Sequence, residues 1–137
     1  MDKIVICSAM ILRPQGELLV VRKKSSQFFQ LPGGKMAPGE DNEHALAREL
    51  MEELRFDISR TRVSFIGTHV TKAVNEADTL VEGHIYCIQL DHNLFFTPYE
   101  ELEEVLWLKP SNWQNYKLAH LAAEFVIPRW LSGIQHK

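Results

Sequence analysis

The order of apolar segments along the chain is the feature that most constrains its fold. Two strand-like runs, Ile4–Arg13 and Glu17–Arg22, are joined by a Pro-Gln-Gly turn, which predicts a hairpin. A turn-rich stretch that includes Pro32-Gly33-Gly34 leads into one strongly helical segment, Glu43–Leu54. The later elements are predicted as strands within Phe56–Thr71, Thr79–Leu90 and Glu104–Leu108, and a helix over Trp113–Leu131 that Pro128 would kink or end. This order predicts an α/β fold in which helices pack on a mixed sheet.

Composition narrows the class of protein further. The 137 residues fit a single domain, predicted over residues 1–137. A net charge of -3 argues against extended nucleic-acid binding, and the longest apolar run, Ile4–Leu12, is too short to span a membrane. Cys7 and Cys87 lie in apolar runs without metal-ligand spacing, which is typical of thiols in a reducing compartment. The expected location is the cytoplasm.

The predicted helix over Glu43–Leu54 carries a cluster of carboxylates on one face. Glu49, Glu52 and Glu53 are spaced i, i+3 and i+4, so their side chains meet, whereas the leucines occupy a separate arc. One interpretation is an ordinary solvated acidic face. The other is a site for Mg²⁺ or Mn²⁺, because these ions prefer carboxylate oxygens and the cluster contains no His or Cys.

The residues around this cluster follow a long fixed spacing. Gly34 is followed after five residues by Glu40, after seven more by Arg48-Glu49-Leu50, and then by Glu52-Glu53 and Arg55-Phe56. This pattern resembles the Nudix box, G-x5-E-x7-R-E-U-x-E-E-x-G-U, where U is an apolar residue. The preceding Leu-Pro-Gly-Gly-Lys segment, which ends at Lys35, resembles the usual lead-in to that box.

The resemblance implies an α/β/α sandwich that hydrolyses a nucleoside diphosphate linked to another group. It implies that Glu49, Glu52 and Glu53 are catalytic and bind the metal, Mg²⁺ or in its place Mn²⁺. Arg48 would orient them by pairing, with Glu40 as its structural partner. Gly33, Gly34 and Lys35 would bring the chain close to the metal or the substrate phosphates.

Arg55 is the one departure from the pattern, which has glycine there. A glycine would permit a left-handed end to the helix, whereas arginine in that conformation costs about 1–2 kcal/mol. We therefore expect the helix to end differently or to continue by one residue.

Several further residues are candidates for the site. Glu53 is the first choice as general base, and an acidic loop with Glu100, Glu101, Glu103 and Glu104 could supply the base instead. Glu82, His84 and Tyr86 share one face of a predicted strand, so Glu82 and His84 could bind substrate or simply form a half-exposed face. Arg22 is a candidate phosphate contact, with Lys23 and Lys24 beside it. Phe28, Phe29 and His120 could contact a base or sugar, although each of them is more typical of a core or surface position.

Three functions are compatible with these residues. The favoured one is a pyrophosphohydrolase acting on a small nucleotide, in particular a nucleoside triphosphate. The stretch Thr71-Lys72-Ala73 carries neither the proline nor the tyrosine signature of two other subclasses. A nucleotide-binding module without catalysis and an RNA 5′-end pyrophosphohydrolase are the alternatives. Relatives commonly form homodimers, but no feature of this sequence specifies one.

Overall fold

The fold was analysed in a computed structural model, which describes residues 1–135. Its strands are β1 (Asp2–Leu12), β2 (Leu18–Lys23), β3 (Phe29–Gln30), β4 (Gly33–Lys35), β5 (Val63–Lys72), β6 (Thr79–Gln89) and β7 (Leu102–Leu108). Helix α1 spans Asn42–Leu54, and helix α2 spans Ile127–Gln135. Short 3-10 turns occupy Ile58–Arg60 and Trp113–Asn115, and a π-helical turn, Ala122–Val126, leads into α2. No helix in the described part of the chain is long and apolar enough to cross a membrane.

All seven strands belong to one mixed sheet. Its main path runs β3-β2-β1-β6-β5, with β4 also paired to β1 and β7 to β2. Strands β1 and β6 are parallel over their whole length, and the other pairs are antiparallel. Because β2 pairs with β1 only at Leu12 and Leu18 while β4 pairs with Ile6–Ser8, the sheet divides along this edge of β1.

The two faces of the sheet bury separate cores. On one face, α1 contributes Leu46, Leu50 and Leu54, which pack with alternate residues of β1 such as Ala9 and Ile11. On the other face, the C-terminal helical segment packs on the remaining residues of the strands, with Leu121, Phe125 and Trp130 buried there. Successive side chains along a strand therefore pack alternately against one helical layer and the other, as in an α/β/α sandwich.

Two predicted elements differ in the structure. The Gly33–Gly34 segment does not simply turn: it forms β4, where Gly33 has a φ of 141° and its Cβ would lie 2.1 Å from the Cys7 carbonyl oxygen. The predicted helix over Trp113–Leu131 is wrong in its first part. Phe29 donates its N–H to the Lys117 carbonyl and accepts from the Ala119 N–H, so residues 117–119 run beside β3.

Pro128 does not end the C-terminal helix. Ile127 donates to the Ala122 carbonyl, five residues earlier, so the turn before the proline is wide. A proline in a helix lacks an N–H and its ring crowds the preceding turn, and a π-turn is one way in which a helix accommodates it. The helix then continues to Gln135, and the buried Trp130 fixes it to the turn between β1 and β2 by donating to the Gly16 carbonyl at 2.6 Å.

Candidate active site

Helix α1 begins and ends with well-formed caps. Asp41 accepts a hydrogen bond from the His44 N–H at 2.9 Å and is the N-cap. At the other end, Arg55 has φ 53° and ψ 37°, so it is left-handed, and the expectation that the helix would end differently is wrong. The N–H groups of Arg55 and Phe56 donate to the carbonyls of Met51 and Leu50, which satisfies the last turn. Since these bonds need a left-handed residue, the arginine adopts that conformation.

Arg48 connects the carboxylates of the helix to the preceding loop. Its guanidinium donates to both oxygens of Glu40, at 2.7 and 2.9 Å, and to the Lys35 carbonyl at 3.0 Å. It also contacts Glu49 at 3.0 Å and Glu52 at 3.4 Å. Hydrogen bonding from Arg48 lowers the pKa of Glu40 to about 2. The pairing fixes the loop against α1 and orients the two glutamates.

Glu53 is the most buried carboxylate of the cluster, with 6% of its surface exposed. One of its oxygens accepts a hydrogen bond from the Gly33 N–H at 3.0 Å. Burial raises the pKa of Glu53 to about 8, since the Gly33 N–H offsets only part of the desolvation. The neighbouring Glu49 charge raises it further, whereas Lys23 acts in the opposite direction.

Glu49 lies directly against the backbone of Gly34. A Cβ at Gly34 would come within 2.5 Å of the Glu49 carboxylate, so glycine is required for this approach. Burial is also the main cause of a raised pKa for Glu49, with the Glu52 charge adding to it and Arg48 reducing it. Gly33 and Gly34 thus bring β4 into contact with two of the three glutamates.

A cavity of about 130 Å³ opens on the opposite side of this glycine pair. Gly33, Gly34 and Lys35 form part of its wall, as predicted for substrate-binding residues, although a role in binding stays a prediction. Its apolar floor comes from β1 and β6, and cationic and polar side chains surround it. These include Lys23, Gln30, Lys72, Asn75 and His120.

Three predicted substrate-binding residues lie elsewhere. Arg22 is bound to Glu104, at 2.6 and 2.9 Å, and to the Ser26 carbonyl. Glu82 and His84 bond each other at 3.0 Å and share the α1 face of the sheet with Tyr86, whereas the cavity lies on the other face. Among the described residues that line the cavity, Arg22, Glu82 and His84 are absent. Their role in substrate binding stays a prediction that the position of the cavity does not support.

Sequence reasoning gave no site role to Lys72 and Asn75 and preferred Arg22 to Lys23. The pairing of β2 with β7 shifts in register between Arg22 and Lys23, so that Lys23 rather than Arg22 faces the cavity. No sequence pattern marks that shift. Sequence reasoning named His120 as a possible contact for a base or sugar, and the structure places it in the cavity wall, although a role in binding stays a prediction.

The predicted acidic loop is partly strand, because Glu103 and Glu104 belong to β7, and most of its carboxylates form ion pairs with basic residues. Glu104 pairs with Arg22, Glu100 with Arg55 at 3.4 Å, and Glu101 with Lys23 at 3.8 Å. Of these, Glu101 raises the pKa of Glu53 through its charge. The loop therefore borders the buried carboxylate.

The donor set suits a hard divalent cation in its chemistry. The cluster offers only carboxylate oxygens, those of Glu49, Glu52 and Glu53. The absence of a Cβ on Gly34 leaves space beside the Glu49 carboxylate that a side chain would fill. Among residues 1–135, no group of three or more His, Cys, Asp and Glu side chains is arranged around a common point. Glu53 bonds Gly33 while Glu49 and Glu52 bond Arg48, so binding of an ion would require these side chains to turn.

Comparison with known proteins gives the class of this protein. The chain matches the NUDIX domain family over residues 3–127 and belongs to that family. This confirms the family and the fold predicted from the box.

A curated relative and two solved structures illustrate the likeness. Over 47 residues the chain is 36% identical to the putative 8-oxo-dGTP diphosphatase of Bacillus subtilis (strain 168), a match that covers 34% of this chain and 32% of that protein. The chain thus spans about a third of the length of that relative.

Among solved structures, the E. coli ORF135 protein has a TM-score of 0.67 and 24% identity, over 98% of this chain and 91% of its own. A bifunctional NMN adenylyltransferase/ADP ribose pyrophosphatase from Francisella tularensis, complexed with AMP and a manganese ion, has a TM-score of 0.70 and 18% identity. It is matched over 97% of this chain and 42% of its own. At this identity, both structures show a shared fold.

Proposed function

We propose that this chain is a pyrophosphohydrolase that cleaves the pyrophosphate link of a small nucleotide, with a nucleoside triphosphate as the favoured substrate. The observation that carries the proposal is the position of the Gly33–Gly34 pair. It lines the cavity on one side and contacts the Glu53 and Glu49 carboxylates on the other. A bound nucleotide would therefore have its phosphates beside the carboxylate cluster.

The charge and polarity of the cavity support a nucleotide ligand. Its floor is apolar, with Ile4, Ile6 and Val81, which suits the flat face of a base. Lys23 and Lys35 stand beside the glycine pair, where cationic side chains compensate phosphate charge. Membership of the family and the short match to a putative diphosphatase support the hydrolytic reaction.

Glu49, Glu52 and Glu53 would hold the divalent cation, Mg²⁺ or Mn²⁺, on which Nudix hydrolases generally depend. Such an ion neutralises phosphate charge, polarises a phosphoryl oxygen and lowers the pKa of a water molecule. Arg48 keeps the carboxylates in place by pairing with Glu40 and bonding the Lys35 carbonyl, so the ligands sit on a rigid helix.

Glu53 is the proposed general base. A base works best when its pKa lies near the working pH, and burial already places the pKa of Glu53 at about 8. Its bond to the Gly33 N–H holds the carboxylate against the glycine pair, which lines the cavity on its other side.

The test is release of pyrophosphate and phosphate from nucleoside triphosphates, sugar nucleotides and dinucleoside polyphosphates with Mg²⁺ or Mn²⁺. We expect Glu53→Gln to reduce kcat by at least about 100-fold, because it keeps the shape and the acceptor for Gly33 but cannot take a proton. Glu43→Gln, in the exposed first turn of the same helix, is the matched control and should retain wild-type kcat. Equal turnover by Glu53→Gln and wild type would refute the role of Glu53.

The second candidate function is nucleotide binding without catalysis. The observation in its favour is that the three glutamates in the described chain point to Arg48 and Gly33 rather than to a common point. Nucleotide binding without turnover under any metal condition would support it. We also propose a small-molecule partner, which the lining of the cavity supports, and a cytoplasmic location.

A further inference from the structure

Arg13, just after β1, is a nearly buried arginine between two aromatic rings. Only 8% of its surface is exposed, and its Cζ atom lies 4.0 Å from the centre of the Trp107 ring and 4.8 Å from that of Phe95. Its guanidinium also donates to the Glu17 carboxylate at 3.1 Å and to the Leu94 carbonyl at 3.0 Å. Stacking and forked hydrogen bonding from one planar group are properties of arginine that lysine does not have.

The stability of the fold does not by itself account for Arg13. Its Nε atom is buried without a hydrogen-bond partner among residues 1–135. A buried charge that is only partly bonded carries a desolvation cost, and an apolar side chain in its place is often neutral or stabilising. The contacts of Arg13 with Leu94 and Phe95 therefore indicate a second role, which is to hold the loop that contains them.

The loop held by Arg13 is the β6–β7 loop, residues 90–101, which has no strand or helix of its own. Beyond the part that Arg13 contacts, the loop packs on the end of α1. The centres of the Phe96 and Phe56 rings are 5.1 Å apart, and the Tyr99 N–H donates to the backbone carbonyl of Glu53 at 3.0 Å. One loop therefore contacts both Arg13 and the helical turn that bears Glu53.

The bond from the loop fixes the backbone of Glu53. Helix α1 ends at Leu54, and the carbonyls of a last helical turn have no partner within the helix, so Tyr99 supplies one for Glu53. The carboxylate of the same residue accepts from the Gly33 N–H at 3.0 Å. Glu53 is thus held by its backbone to the β6–β7 loop and by its side chain to β4.

Arg13 lies far from this site along the sheet. Ser8 is the residue of β1 that pairs with Gly33, and Arg13 follows it by five residues, which is about 17 Å at the rise of a strand. An effect of Arg13 on Glu53 has to pass through the structure between them, and the β6–β7 loop contacts both residues.

We propose that Arg13 is a positioning residue for Glu53 and acts through the β6–β7 loop. Its stack and its hydrogen bond fix the first half of the loop, so that the Tyr99 N–H stays within hydrogen-bond distance of the Glu53 carbonyl. The inference rests on the proposed function only in taking Glu53 to act in the reaction. Because a displacement of about 1 Å can cost on the order of 100-fold in rate, loss of this support lowers kcat more than it changes KM.

The experiment compares Arg13→Lys with wild type, first by amide hydrogen exchange of the metal-free proteins and then by steady-state kinetics. Lysine keeps the charge that pairs with Glu17 but has no planar fork. The Tyr99 and Gly33 amides should exchange about three- to tenfold faster, relative to core amides such as that of Ile88. With the best nucleotide substrate, kcat should fall about three- to tenfold while KM stays within about twofold.

Arg129→Lys is the matched control. Arg129 also stacks on a ring, with its Cζ atom 3.5 Å from the centre of Phe125, and it donates to the Phe125 carbonyl. It belongs to α2, on the other face of the sheet, so its substitution should leave both amides and kcat unchanged.

Phe95→Leu tests the stack from the side of the loop. The Phe95 ring is 84% exposed, so this variant removes one half of the stack without opening the core. The Tyr99 amide should exchange about twofold faster than in wild type, a smaller change than in Arg13→Lys because the bond to Leu94 is kept.

The outcomes separate this inference from the proposed reaction. Wild-type exchange at both amides in Arg13→Lys and in Phe95→Leu would overturn the inference and leave the hydrolase intact. Faster exchange at both amides, in a protein that turns over no nucleotide, would support the positioning and reject the hydrolase. Equal falls in kcat for Arg13→Lys and Arg129→Lys would show a general structural role and overturn the inference, as would faster exchange with an unchanged kcat in an active enzyme.

Discussion

At the scale of single residues, Gly34 brings the backbone into close contact with the Glu49 carboxylate. An added Cβ would lie 2.5 Å from the Glu49 carboxylate, at the end of a flexible side chain. We therefore expect Gly34→Ala to displace Glu49 while the fold persists. Since a displacement of about 1 Å can cost on the order of 100-fold in rate, kcat/KM should fall by about 10- to 100-fold. Steady-state kinetics alongside urea unfolding would measure both effects.

Gly133→Ala provides the comparison for that variant, because a Cβ at Gly133 meets nothing within 4 Å. It should retain the wild-type kcat/KM. If Gly34→Ala also retained it, Glu49 would not depend on this close approach. Loss of the fold in Gly34→Ala would show that the adjacent carboxylate cannot turn away.

At the scale of elements, the end of α1 contains a conformational strain that can be removed. Arg55 is left-handed at φ 53°, which costs a residue with a side chain about 1–2 kcal/mol. Arg55 gains an exposed ion pair with Glu100 and a contact with the Tyr99 ring at 4.8 Å, each worth little at the surface. Arg55→Gly should therefore raise the free energy of unfolding by about 0.5–1 kcal/mol, as measured in urea.

Arg60→Gly is the paired control, because Arg60 lies in a 3-10 turn and has no positive φ. Glycine there should lower the free energy of unfolding through the added entropy of the unfolded chain. A loss of stability in Arg55→Gly as large as that in Arg60→Gly would mean that the side-chain contacts of Arg55 outweigh its strain.

The elements also show how far the sequence could predict this molecule. The extent of α1 and the fold class follow from local patterns and the spacing of the box. Strand β4 and the pairing of Leu118 with Phe29 depend on segments distant in sequence, so local patterns missed them. The alternation of side chains along β6 correctly predicted that Glu82 and His84 share one face of the sheet. Which face borders the cavity depends on how both helical layers pack on the sheet, which the alternation does not show.

At the scale of the whole molecule, the buried Glu53 couples stability to pH. Its pKa is about 8 in the folded chain, above the ordinary value of 4.5. Between these values the folded state binds more protons than the unfolded state, so the free energy of unfolding decreases as pH rises. We expect metal-free protein to lose on the order of 3–5 kcal/mol from this source between about pH 4.5 and 8.

The measurement is urea unfolding of metal-free wild type and Glu53→Gln across this pH range. Other groups titrate in both proteins, among them Glu49 with its raised pKa and Glu40 with its lowered one, so the difference between the two curves isolates Glu53. That difference should favour wild type most at the acidic end and shrink, or reverse, as pH rises. A constant difference would mean that Glu53 is ionised throughout, and that its bond to Gly33 outweighs its burial.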